Sequence, residues 1–148
     1  MYLWANQAYL TATPEAANET LHQFQTEAQS LTAIRIFINN LIASLSMIIP
    51  AIGLVPFMII WHNSAYAVGL LCQARHITPI TGVLNLITLG FLEILAYTVL
   101  MSENLYIVIL GLSKKGAKER IRTQSWKTFI LYVTLLFFAA VVEAMLIA

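Results

Sequence analysis

The chain has 148 residues, 59% of them hydrophobic and only 10% charged, with a mean hydropathy of +0.78. Soluble domains carry roughly a quarter of their residues as charges, so this composition excludes a water-soluble domain and marks an integral membrane protein. A net charge of +1, from eight Lys/Arg against seven Asp/Glu, leaves no broad basic surface and argues against nucleic acid as a ligand.

The start, Met1 to Gln7, has no basic flank ahead of its brief apolar run and does not read as a signal peptide. Thr13-Pro14-Glu15 is a helix start: threonine caps, proline suits the first helical position, and glutamate favours the positive end of the helix dipole. Ala17, Leu21, Phe24, Ala28 and Leu31 follow at spacings of three and four, which predicts an amphipathic helix over 13–33. Its polar face carries Glu15, Asn18, Glu19, Gln23, Gln25 and Glu27, with no basic residue before Arg35. Helices lying on anionic membranes are rich in Lys and Arg, so the stripe is expected to dock on protein rather than lipid.

Ile34 to Cys72 is apolar apart from scattered polar residues and is interrupted by Pro50, Gly53 and Pro56. A span needs about 20 residues, so 34–72 is expected to be a helical hairpin, about Ile34 to Ile49 and about Phe57 to Cys72. The first helix carries Asn39, Asn40, Ser44 and Ser46; the second carries His62, Asn63 and Ser64. Ala65 and Gly69 have the small-xxx-small spacing that lets helices approach closely. After Gln73-Ala74-Arg75-His76 comes a stretch over 77–112 that is too long for one upright span and too short for two. Either it is one long tilted helix, or a half-helix to Leu89 turns near Gly90 into a span from Phe91. Broken backbone at membrane depth needs protein or a cavity around it.

Six of the eight basic residues, Lys114, Lys115, Lys118, Arg120, Arg122 and Lys127, fall in or beside a loop expected at 113–125. By the positive-inside rule this loop is expected to be cytoplasmic, and a last span over 126–147 then leaves the C-terminus outside. The expected fold is all-α: a polytopic transmembrane bundle of about four spans, with a re-entrant half-helix as one option and an N-terminal amphipathic helix, forming a single membrane domain over 1–148.

Glu93 and Glu143 stand inside apolar runs, where a carboxylate is costly and usually faces a bundle interior, a cavity or a partner. Gly90, Glu93 and Tyr97 share a helix face. Glu93, Glu143, Asn39, Asn40, Asn63 and Tyr97 therefore form the candidate intramembrane polar site. They either line a proton or cation path or hydrogen-bond between helices and fix packing, and packing is the commoner use. His22, His62, His76 and Cys72 are of ligand type, but Cys72-x-x-x-His76 has no third ligand nearby, so no metal is expected. A single cysteine also precludes an intrachain disulfide. Serine nucleophile and zinc-protease patterns are missing, and Gly111 to Gly116 lacks the order of a nucleotide loop. No catalytic residues and no cofactor are expected.

Ile36 to Ala43, Pro50-Ala51-Ile52-Gly53, Asn63 with Gly69, and Gly90 to Ala96 together resemble the stage II sporulation protein M-like family of integral membrane proteins. The family pattern comprises a Phe-x-x-Asn helix, a glycine-containing turn, a helix with Asn and Gly, a Pro-His-Gly-x-x-Glu element, and a late membrane glutamate. Glu143 falls at that last place. The resemblance covers roughly Ile34 to Ala148. Thr88 and Leu89 stand where the family has Pro-His, so no role of that histidine carries over. For the founding member the resemblance implies a septal complex that remodels peptidoglycan during engulfment; for this chain it implies the fold.

The function expected is a non-catalytic subunit or scaffold of a larger membrane complex. Two alternatives are a transporter or channel component using the intramembrane glutamates, and an accessory subunit of a membrane redox or monooxygenase complex. Expected partners are other membrane subunits and the bilayer, with a homo-oligomer as an alternative.

Overall fold

The computed structural model describes residues 1–28, 32–114 and 116–147; Leu31 of the apolar stripe and Lys115 of the basic segment lie outside the described residues. All regular structure among them is helical.

The first helix, α1 (Tyr2–Thr11), was not expected from the sequence. Its interior has no glycine or proline, and it buries the small residues Ala5 and Ala8. It stops at Ala12, whose extended backbone leads into Thr13-Pro14, a step at which proline disfavours helix in the residue before it. Helix α2 (Pro14–Ala28) begins as the sequence predicts, with the Thr13 hydroxyl accepting from the Ala16 N–H at 3.3 Å. Thr32 likewise caps α3 (Ala33–Leu45), accepting from the Arg35 N–H at 3.3 Å.

A 3-10 turn, Ser46–Ile48, ends α3 sooner than expected. The Met47 carbonyl accepts from the Asn104 side-chain amide. Gly53 lies on the same spot. A Cβ there would collide with the Met47 carbonyl and stand 2.9 Å from Asn104 Nδ2. Helix α4 (Leu54–Ala74) tolerates Pro56 in its first turn. It is followed by a bend at His76, which takes a positive φ of 53°. Thr78 then caps α5 (Pro79–Leu89), with Pro79 in its first turn.

Gly90 separates α5 from α6 (Phe91–Leu112), so of the two options for 77–112 the broken one is present. The basic segment is less of a loop than expected. It is helical from α7 (Ala117–Arg120) through a π turn (Ile121–Ser125) into α8 (Trp126–Ile147). Three helices are long and apolar enough to cross a membrane, Leu54–Ala74, Phe91–Leu112 and the continuous Ala117–Leu146. Ala33–Ile48 and Pro79–Leu89 are shorter apolar helices; at 1.5 Å per residue neither reaches the ~30 Å of a hydrocarbon core.

Packing divides the chain into two compact units, Met1–Leu31 with Met58–Gly90, and Thr32–Phe57 with Phe91–Leu146. In the first, α1 runs parallel to α4. The Trp4 and His62 rings meet edge to face at 5.1 Å, Gly69 lies under Ala5 and Ala8, and the Gln73 amide donates to the Ala12 carbonyl at 3.0 Å. The Ala65/Gly69 spacing thus permits a close helix contact as expected, and its partner is the unexpected α1. In the second unit α8 runs antiparallel to α3 and α6. Phe37 meets Phe137 at 5.6 Å, Ser44 bonds Tyr132, and Glu103 on α6 is level with Thr128.

Candidate functional site

The second unit holds two polar clusters. In one, Glu93 stands in the first turn of α6, where the helix dipole favours a carboxylate. Tyr97, one turn on and buried, donates its hydroxyl to Glu93. Glu143 and Tyr132 of α8 both lie within electrostatic reach of Glu93. Tyr132 is wholly buried and shares a hydrogen bond with Ser44 of α3. Ser44 also donates back to the Asn40 and Leu41 carbonyls, at 2.6 and 3.0 Å.

Of the residues singled out in the sequence, the structure brings together Glu93, Tyr97 and Glu143. Asn40 contributes its backbone carbonyl to Ser44, while the Asn39 side chain is exposed. Asn63 is exposed on α4, in the first unit. Ser44 and Tyr132 were not anticipated, because an isolated serine or tyrosine in an apolar run carries no signal of what it faces.

The second cluster, around Glu103, was also missed. Glu103 is 8% exposed in the middle of α6. Arg120 grips it with two bonds, Nε to Oε1 at 2.9 Å and Nη2 to Oε2 at 2.7 Å. Ser125 donates to Oε1 at 2.6 Å and Thr128 to Oε2 at 3.3 Å. The Tyr106 ring lies under the guanidinium at 5.0 Å. In an ideal α-helix residues five apart diverge by about 140°. The π turn over Ile121–Ser125 widens the coil so that Arg120 and Ser125 share one face.

Because Ser125 and Thr128 also reach Glu103, the Arg120 side chain runs along its own helix toward them to meet it. That direction is inward, opposite to the usual snorkelling of arginine toward headgroups. Arg120 therefore differs from the exposed Lys114, Lys118, Arg122 and Lys127. A cleft of about 510 Å³ opens beside the pair, lined by Thr98, Ser102 and Tyr106 among others. With four hydrogen bonds, the Glu103 carboxylate is saturated and ties α6 to α8.

Among the described residues no three His, Cys, Asp or Glu side chains converge as metal ligands. His22, His62 and His76 are exposed and Cys72 is buried.

The sequence model of stage II sporulation protein M matches residues 1–146. The chain belongs to the stage II sporulation protein M family. Membership extends the resemblance seen from Ile34 onward back through α1 and α2, and with the apolar helices it makes the chain a multi-pass membrane protein. No curated protein and no solved structure matches the chain. Thr88 and Leu89 close α5 just before the Gly90 break.

Proposed function

We propose that the chain is a non-catalytic membrane subunit or scaffold of a larger membrane assembly. The observation that carries this reading is Asn63, exposed near the middle of the membrane-length helix α4. Among the described residues its amide has no hydrogen-bond partner. Hydrocarbon offers none either, and side-chain amides in membranes commonly bond across helices. Asn39 repeats the pattern on α3. The inward polar groups by contrast bond one another, as the saturated Glu103 does. In this reading the basic segment 114–127 is cytoplasmic and the C-terminus lies outside, following the clustering of Lys and Arg.

A second reading, a transporter or channel component, is favoured by the proximity of Glu93 to Glu143. The two readings separate in one experiment. The native membrane is extracted in mild detergent and the species migrating with the chain are identified by mass spectrometry. The scaffold reading expects stoichiometric partners, and expects Asn63→Leu to release them while the chain's own level stays constant. A lone homo-oligomer contradicts it. In that case Glu93→Gln and Glu143→Gln should abolish a proton or ion flux if the second reading holds.

A further inference from the structure

Within the first unit, α4 and α5 enclose a groove of about 300 Å³ whose lining is mainly apolar. Its floor is closed by Gly82, where a Cβ would run into the Cys72 sulfur and stand 3.0 Å from Val68 Cγ1. Ala67, Leu71 and Arg75 mark one stripe of α4 at spacings of four, and Leu86 of α5 and Phe24 of α2 complete the walls. Arg75 is the one charged residue in the lining. It directly follows the last residue of a membrane-length helix, at the membrane edge. Among the described residues it has no ion pair.

We propose that this groove binds an anionic phospholipid, with the phosphate on Arg75 and one acyl chain laid along α4 and α5. Three observations select that occupant. The charge at the mouth is positive and uncompensated. The lining runs on α4 from Ser64 to Arg75, roughly 16 Å at 1.5 Å per residue. That is about half the ~30 Å hydrocarbon core, the depth of one leaflet. A volume of about 300 Å³ over that length leaves a cross-section of ~19 Å², against roughly 80–110 Å² for a helix 10–12 Å across. The groove is therefore too narrow for a partner helix and suited to a single hydrocarbon chain.

The test is native mass spectrometry of the full chain in mild detergent. It is offered phosphatidylglycerol, phosphatidylcholine with the same chains, or inorganic phosphate. One phosphatidylglycerol per chain should survive detergent that strips phosphatidylcholine, and added phosphate should not displace it. Arg75→Gln should lower its retention about fivefold, the share of one basic residue at a membrane surface, without changing the weak retention of phosphatidylcholine. Ala67→Phe, which fills the groove, should remove retention of both. Equal retention of the two lipids, or wild-type retention in Arg75→Gln, overturns the proposal. A dimer peak in place of bound lipid, lost on Ala67→Phe, overturns it too and identifies a second copy as the occupant. Arg75 is exposed at a helix end, so its variant decides the matter even if Ala67→Phe does not fold.

Discussion

A carboxylate such as Glu103 can stand in a spanning helix because all its acceptor directions are filled: two by Arg120, one each by Ser125 and Thr128. Removing one partner leaves a buried charge unmatched, which costs more than the pair itself contributes. Glu103→Gln is expected to destabilise the protein by ~3 kcal/mol, at the low end for a buried pair because the Arg120 side chain is 31% exposed. Replacing both partners by methionine should recover most of that loss, since an apolar pair of similar volume is often neutral. Thermal unfolding of the detergent-solubilised variants checks both statements. If the double variant melts no higher than the single one, the ion pair is not what Glu103 contributes.

At the level of elements, two devices align the helices. The π turn puts Arg120 on the Glu103 face with one extra residue in the coil, so deleting Thr123 should restore regular α-helix with Arg120 four residues before Ser125, about 40° apart and still on that face. Arg120→Ala is therefore expected to cost as much in the deletion variant as in the full chain, measured by the same melts; a smaller cost in the deletion variant would show that Arg120 has left Glu103. In the first unit, Gly69 allows α1 to lie against α4, because a Cβ there would meet the Ala5 carbonyl and stand 2.7 Å from Ala8 Cβ. Gly69→Val should detach α1 and destabilise the unit by roughly 1–3 kcal/mol, the range for overpacking. Faster protease cleavage at Ala12-Thr13 reports the detachment, and a cleavage rate equal to wild type would contradict it.

Across the whole molecule, what could be read from the sequence follows from how local each cause is. Caps and breaks are local, so Thr13-Pro14, the turn at Pro50 to Pro56 and the break at Gly90 were legible. Glu93 and Glu143 also stood out in the sequence, because a carboxylate in an apolar run must face something other than lipid. Glu103 and Arg120 did not: arginine in a basic segment reads as a topology signal, and its inward reach depends on a π turn that no local pattern announces. Helix α1 escaped notice because its packing rests on two alanines, which give no periodic stripe. The outward polar groups remain, and they bear on the assembly rather than on the fold.

The most direct measurement is a photo-crosslinking amino acid placed at position 63 in the chain expressed in its native membrane, with the adducts identified by mass spectrometry. Crosslinks are expected to a defined partner protein, in the same stoichiometric set that migrates with the chain in mild detergent. Adducts to lipid alone would show that the Asn63 face meets only the bilayer and would contradict the subunit reading.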